Sequence, residues 1–141
     1  MRSLIHQPHS VLWLAVPVLL GLSLLGLQRT MDLQLHDTYF VLTLPSVGLV
    51  LISWVGLLGL GYWLMRRYPL ISWLTGIHVV LTLLACVALL LVGLFFAGLI
   101  SSGSFAAVNK VAGILLLIVV GSQFLYLANL LQGLVRGRPA A

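Results

Sequence analysis

Charge is the scarcest property of this chain of 141 residues, of which only 6% are charged and 62% are hydrophobic. A soluble domain carries about 25% charged residues. So little polar surface cannot cover a water-exposed globule, and the composition therefore predicts an integral membrane protein in contact with the lipid bilayer. The net charge of +5 does not indicate nucleic acid as a partner, because the basic residues lie beside apolar runs, where they set membrane orientation.

Reactive side chains are also few. The only cysteine, Cys86, lies inside an apolar run, where such a residue is usually a small apolar filler. The sequence has no nucleophile–base pair, no glycine-rich phosphate loop and no cysteine–histidine metal spacing. We therefore do not expect the chain to catalyse a reaction on its own.

Four apolar runs are long enough to cross a membrane, since a span needs about 20 residues. They cover residues 10–28, 39–65, 70–100 and 105–134. The first run is interpreted as a retained helix, because no small-residue cleavage site of a signal peptide follows it. The predicted fold class is an all-α membrane protein, with residues 1–141 forming a single four-helix transmembrane domain.

The basic residues also predict the orientation of these spans. Five of the seven fall on one side of the membrane, namely Arg2, Arg66, Arg67, Arg136 and Arg138. The other two, Arg29 and Lys110, fall on the opposite side. Aromatic residues around the Arg66–Arg67 turn, Tyr62 and Trp63 among them, are typical of an interfacial belt. By the positive-inside rule both termini are cytoplasmic, and residues 31–41 lie on the outer, periplasmic face of the inner membrane.

Residues 31–41 contain both carboxylates of the chain, in the sequence MDLQLHDTYFV. A histidine beside a carboxylate, here His36 and Asp37, can bind a divalent metal, and a partner must complete such a site because two groups are too few to close it. The alternative is that Asp37 or Thr38 is the N-cap of the second helix. The spacing alone favours a helix cap, and the two roles are compatible. Because the charge is so concentrated, we also predict a surface for contact with a partner, made of Asp32, His36, Asp37 and Tyr39.

Three of the polar residues inside the predicted spans are candidates for a functional or structural role. His78 lies about 12 Å along the third helix, and an ionisable residue at membrane depth is a candidate functional site. Its alternative is a neutral histidine bonded to a facing helix, or to a threonine of its own helix. Gln123 and Asn129 are interpreted as amides that hold helices together. Because His36 and His78 lie towards opposite faces, they cannot ligate one haem.

The stretch MDLQLHDTYFV resembles the entry to the tenth helix of haem-copper oxidase subunit I, the catalytic subunit of cytochrome c and quinol oxidases. Weaker similarities follow along the chain. The tripeptide 61–63 resembles the end of that helix, residues 74–78 (LTGIH) the entry to the eleventh, and residues 124–130 (FLYLANL) the last helix. The whole chain therefore resembles the final four helices of a twelve-helix subunit.

The resemblance has one implication for His36 and Asp37, and the chain departs from the family's pattern at one place. In the family, the residues matching His36 and Asp37 help to hold a magnesium ion and the haem propionates, which implies the same contact here within a complex. The family then has two iron-ligating histidines around an aromatic residue, where this chain has Leu44, Pro45 and Ser46. Leucine cannot ligate iron and serine is not a usual ligand. No cofactor is therefore expected in the isolated chain.

Three functions are compatible with these observations. The first is a non-catalytic accessory, assembly or structural component of the respiratory chain, in contact with terminal oxidase subunits. The second is a haem-binding electron-transfer subunit of a terminal oxidase complex, with ligands partly supplied by a partner. The third is a small self-associating membrane protein unrelated to respiration.

Overall fold

The computed structural model of the protein describes residues 7–96 and 102–137. The structure is 79% helical. Its elements are α1 (Pro8–Leu25), β1 (Thr30–Leu35), β2 (Thr38–Thr43), α2 (Leu44–Leu64), α3 (Ser72–Phe96) and α4 (Ser102–Arg136). All four helices are long and apolar enough to cross a membrane, which confirms the prediction of a multi-pass, four-helix membrane protein.

Residues 30–43 form an antiparallel β-hairpin, in which each residue of β1 pairs with one of β2 and His36–Asp37 is the two-residue turn. The chain is therefore not all-α. The prediction of a second helix from residue 39, capped by Asp37 or Thr38, is wrong.

An alternation of side chains explains this hairpin. Met31 and Leu33 are 2% and 5% exposed, whereas Gln34 is exposed and Asp32 is half-buried. A period of two residues is that of a strand with one buried face, and not that of a helix. The second strand is rich in β-branched and aromatic residues, which favour extended backbone.

The second helix begins five residues later than predicted because its start signals lie after the hairpin. Thr43 is the N-cap, and its side chain accepts a hydrogen bond from the Ser46 N–H at 3.4 Å. Pro45 lies in the first turn, where the N–H that proline lacks has no helical partner in any case.

The other helix bounds differ less from the predicted spans. α1 ends at Leu25, three residues before residue 28, and α3 begins at Ser72. The predicted end of the third span, residues 97–100, lies outside the described residues. α4 begins at Ser102 and ends at Arg136, slightly longer than the predicted span at both ends.

The helices pack as two pairs, α1 with α2 and α3 with α4, and α1 also contacts α3. Small residues bring the first pair together: a Cβ atom at Gly48 would collide with Ser23, and one at Gly59 would collide with the Trp13 ring. Such close approach is how transmembrane helices gain packing energy. α2 and α4 meet through the Tyr126 side chain, which packs against Gly61 and lies 5.1 Å from the Tyr62 ring. Elsewhere the seam between them is open.

The bundle has two distinct ends. The hairpin end comprises the hairpin and the first turns of α4. The arginine end comprises the Arg66–Arg67 connection between α2 and α3, together with the start of α1 and the end of α4. His36 lies at the tip of the hairpin, whereas His78 lies less than two turns from the start of α3 at the arginine end.

Candidate functional site

The tip of the hairpin presents two polar side chains to the exterior. His36 Nδ1 lies 2.8 Å from Asp37 Oδ2, and the two side chains are 89% and 91% exposed. The backbone of His36 has a φ of 55°, in the left-handed region that favours glycine. A positive φ at the first of two turn residues is typical of a type II′ hairpin turn. The turn therefore aims both side chains away from the bundle.

The hairpin is anchored to the bundle through its backbone. The Gln34 N–H donates to Asn109 Oδ1 at 2.8 Å, and Asn109 Nδ2 donates to the Gln34 carbonyl at 3.1 Å. The amide of α4 thus bonds to the free edge of β1 much as a third strand would. The Tyr39 ring also lies 6.0 Å from the Phe105 ring. These contacts fix the position of the exposed tip.

Asp32 and Tyr39 lie on the same face of the hairpin, on neighbouring strands. The Asp32 carboxylate accepts a hydrogen bond from the Tyr39 hydroxyl and repels the phenolate, and so raises the pKa of Tyr39 above its ordinary value. Tyr39 is 54% exposed. The structure therefore brings Asp32, His36, Asp37 and Tyr39, the four residues predicted to contact a partner, onto one exposed hairpin.

The same hairpin is the place predicted for a metal at His36 and Asp37. In residues 7–96 and 102–137, no three histidine, cysteine, aspartate or glutamate side chains come together as a ligand group. A metal at the tip would therefore need ligands from a partner, as the pair of residues alone had indicated.

A second polar region lies inside the bundle, towards the arginine end. Asn129 of α4 is fully buried and bonds to α3 twice. Its Oδ1 accepts from the Ile71 N–H at 2.9 Å, and its Nδ2 donates to Thr75 Oγ1 at 2.6 Å. Asn129 thus satisfies a backbone donor at the start of α3 that the helix itself leaves free, and it holds α4 to α3.

His78 belongs to this buried region and bonds to a facing helix. The Tyr62 hydroxyl of α2 lies 2.9 Å from His78 Nδ1, and Asn129 and Thr75 also interact with that hydroxyl. The direction of the bond between Tyr62 and His78 depends on which ring nitrogen of the imidazole carries the proton. The Tyr126 ring lies 5.2 Å from the His78 ring.

Two buried polar atoms remain without a hydrogen bond in the described part of the chain near this site, His78 Nε2 and Gln123 Oε1. The two side chains are neighbours, but no hydrogen bond joins them. The Gln123 amide nitrogen is engaged on its own helix, with the Val119 carbonyl at 2.6 Å and Ser122 Oγ at 3.0 Å. Since a buried unpaired polar group costs about 1–3 kcal/mol, such atoms commonly mark a functional site.

Sequence reasoning missed the role of Tyr62. It was predicted to lie in an interfacial aromatic belt, but it is 1% exposed inside the bundle. The signal that identifies it is spacing: Leu51, Val55 and Leu58 are among the buried residues that precede it along α2, at intervals of three and four. Tyr62 continues this buried stripe, as one face of a helix requires.

A cleft of about 240 Å³ opens beside the buried cluster at the arginine end, and its lining includes His9, Arg66, Tyr62 and Thr75. The structure thus has an exposed polar hairpin at one end and a buried polar cluster near the other. No family profile, curated protein or solved structure matches the chain. Function is therefore inferred from these two regions.

Proposed function

We propose that the protein is a non-catalytic accessory or structural component of a membrane complex, and that its hairpin is the surface that contacts the partner. One observation carries the proposal: a hairpin anchored by Asn109 displays His36 and Asp37 almost fully exposed. An exposed polar contact such as that between His36 and Asp37 stabilises its own chain by only about 0–1 kcal/mol, and a positive φ at His36 is unfavourable. Contact with another molecule would account for two exposed polar side chains on an unfavourable turn.

A terminal oxidase is the proposed partner. The support is the resemblance of residues 31–41 to the outer end of the tenth helix in oxidase subunit I, a segment that faces the haem propionates in that family. Leu44 and Ser46 at the family's iron-ligand positions support a role without catalysis. Within such a complex, His36 and Asp37 would contribute to a magnesium or propionate contact shared with the partner.

The proposed orientation places both termini and the Arg66–Arg67 turn in the cytoplasm and the hairpin in the periplasm, from the distribution of basic residues. Single cysteines at Thr38 and Arg67, introduced after Cys86→Ala, test it with an impermeant thiol reagent on intact cells. We expect labelling at residue 38 and protection at residue 67. The reverse pattern would invert the topology.

The partner contact is tested by mild-detergent purification of a tagged chain from its native membranes, with mass spectrometry of the proteins recovered. The double variant His36→Gly, Asp37→Asn removes the charge and keeps the turn, since glycine tolerates positive φ and asparagine suits a turn. We expect more than a tenfold loss of oxidase subunits, because losing a buried charge contact costs about 2–5 kcal/mol. Gln132→Ala, at an exposed position of α4, is the control.

The outcomes separate two parts of the proposal. Recovery of oxidase subunits by the double variant in parental amounts would show that the hairpin is not the contact. Failure of the parent chain to recover any oxidase subunit would overturn the accessory role itself.

A haem-binding electron-transfer subunit is the second candidate, favoured by the geometry of His78. Metal-ligating histidines usually bond through one ring nitrogen to a neighbour and leave the other for the metal, and His78 has Nδ1 bonded to Tyr62. A stoichiometric Soret band in the purified complex that is lost in His78→Gln would favour this candidate. The accessory role predicts no Soret band from the chain purified alone.

A further inference from the structure

The two edges of the hairpin differ in how their backbone groups are satisfied. The outer edge of β1 is covered, because Asn109 of α4 bonds to both the N–H and the carbonyl of Gln34. The outer edge of β2 has no such cover. Within residues 7–96 and 102–137, no hydrogen bond from outside the hairpin reaches the backbone of Tyr39 or Val41. One edge of this small sheet is therefore satisfied and the other is open.

The register of the hairpin determines which backbone groups face the open edge. In an antiparallel pair, residues that bond across the pair alternate with residues whose N–H and C=O point outward, and two residues opposite each other are of the same kind. Gln34 points outward, as its bonds to α4 show, and it lies opposite Tyr39. The outward-facing residues of β2 are therefore Tyr39, Val41 and Thr43.

The open edge lacks the features that usually prevent a strand from pairing further. Exposed edges are commonly protected by charged residues, by proline or by a bulge. Strand β2 has the sequence TYFVLT, with neither a charge nor a proline, and it pairs with β1 without a bulge. All of its residues are exposed. The edge therefore offers both the backbone groups and the apolar side chains that a further strand requires.

The hairpin lies across the end of the bundle. On its inner face, Met31 and Leu33 are buried, and Phe40 and Leu42 line a cavity together with residues of α2, α3 and α4. A sheet whose inner face rests on these helices has its normal roughly along them, and so roughly along the membrane normal. The open edge of β2 therefore points sideways, parallel to the membrane surface.

This orientation suits a second copy of the chain. Two copies that have the same topology in one bilayer are related by a two-fold axis along the membrane normal. A two-fold axis perpendicular to a sheet makes the adjoining edge strands antiparallel, and in that arrangement a strand edge is complementary to itself. The register that uses all three outward-facing residues places Val41 opposite Val41 of the second copy, and Tyr39 opposite Thr43 of the second copy.

The charges along the hairpin favour the same arrangement. Asp37 lies at the tip and Arg29 immediately precedes the base, and both side chains are exposed. Antiparallel pairing brings the acidic tip of one copy beside the basic base of the other, whereas parallel pairing would place like charges together. Exposed charge pairs are worth little individually. They therefore select the direction of pairing, and the backbone hydrogen bonds supply the affinity.

We propose that two copies of the chain pair through the open edges of β2, with a two-fold axis at Val41, and so join their two-stranded sheets into one antiparallel sheet. The tip, where contact with an oxidase is proposed, is a different surface from this edge. The inference therefore does not rest on the accessory role: a chain that recovers no oxidase subunit can form the dimer, and an accessory chain can be a monomer.

Cross-linking in native membranes tests the position of the axis. Val41→Cys is introduced after Cys86→Ala, and copper phenanthroline is added as the oxidant. Facing residues of a hydrogen-bonded pair have Cα atoms about 5.5 Å apart, which is within reach of a disulfide, so that we expect a covalent dimer. Gln34→Cys is the control. It lies on the same face but on β1, at least three strand spacings of about 4.8 Å from its counterpart, and should give little dimer.

Sedimentation equilibrium of the purified full chain in a density-matched mild detergent tests the backbone bonds. Val41→Pro removes the outward-facing N–H and leaves the bonds within the hairpin in place, since proline is tolerated at a strand edge. We expect the dimer Kd to rise about tenfold or more, because two symmetry-related hydrogen bonds are lost. Val41→Thr keeps the N–H and the preference for extended backbone, and should change Kd by less than about twofold. Deuterium exchange at the Gln34 amide shows whether the hairpin is intact in each variant.

Three results would overturn the proposal. The first is a chain that sediments as a monomer at every concentration. The second is equal Kd values in Val41→Pro and Val41→Thr, or, if Val41→Pro loses its hairpin, equal cross-linking of Val41→Cys and Gln34→Cys. The third is cross-linking of Val41→Cys to a different protein, which would show that a partner's strand occupies the edge. Recovery of oxidase subunits by the parent chain is measured separately, so that failure of the dimer and failure of the accessory role are distinguished.

Discussion

The hairpin and the buried cluster both provide partners for their polar groups, but they do so in different ways. In the hairpin the backbone is held by strand pairing and by Asn109, so that the side chains at the tip are free to face outward. In the cluster most backbone groups are bonded within the helices, and the buried side chains bond to one another and to the free Ile71 N–H. Substitutions in the cluster should therefore affect stability most, and substitutions in the hairpin should mainly affect its surface and its contacts.

The largest effect is expected at the amide that joins α4 to α3. Asn129→Leu leaves the Ile71 N–H and the Thr75 hydroxyl without their present partner, and we expect a loss of about 1–3 kcal/mol in the free energy of unfolding. Helicity measured during a dodecyl sulfate titration in mixed micelles gives this quantity. Gln132→Leu, at an exposed position, should change it by less than about 0.5 kcal/mol. Equal losses in both variants would contradict the role of Asn129.

A smaller effect is expected at the bond between Tyr62 and His78. Tyr62→Phe removes the hydroxyl that lies 2.9 Å from Nδ1 and should cost about 1 kcal/mol of unfolding free energy. The same change in a His78→Leu background should cost clearly less, because the partner is already gone. A double-mutant cycle with no coupling energy would show that the two side chains do not depend on each other.

The hairpin anchor should give a local effect only. Asn109→Ala removes both bonds to the Gln34 backbone, and we expect the Gln34 amide to exchange with deuterium about fivefold faster, equivalent to about 1 kcal/mol of local opening. Global unfolding should hardly change, in contrast to Asn129→Leu. Lys110→Ala, its exposed neighbour, serves as the control. A large loss of global stability would mean that the hairpin is part of the bundle core.

The smallest effect concerns ionisation on the hairpin face. In Asp32→Asn the pKa of Tyr39 should fall towards its ordinary value, because the carboxylate that accepts the hydroxyl proton and repels the phenolate is removed. The pH dependence of phenolate absorbance, corrected with Tyr39→Phe, measures the shift. Asp37→Asn at the tip should not move it. An unchanged Tyr39 titration in Asp32→Asn would show that the two side chains are not in contact.

The four helices could be predicted because lipid contact demands long apolar runs, which leave a clear trace in the sequence. The second strand of the hairpin was assigned to the second span, because its apolar residues directly precede the helix. The alternation of Met31 and Leu33 with Asp32 and Gln34, and the sequence Thr43-Leu44-Pro45 as a helix start, indicate the correct boundary. Both signals are local and were available.

The polar contacts between elements could not be predicted from local signals. His78, Gln123 and Asn129 stand out in apolar helices, but their partners depend on how the helices pair. The bond between Gln34 and Asn109 joins residues 75 positions apart. The open seam between α2 and α4 is likewise a property of packing, because it depends on how the four helices pair.

The length of α4 has a mechanical consequence. Its 35 residues extend for about 52 Å, well beyond a hydrocarbon core of about 30 Å. Asn109 holds the hairpin near one end of this rod, and Asn129 holds the start of α3 about 30 Å further along it. Because α4 is one continuous helix between these two contacts, a change in its tilt at the hairpin would also move the buried Asn129 amide. The hairpin and the buried cluster are therefore connected by one helix, α4, which contacts both.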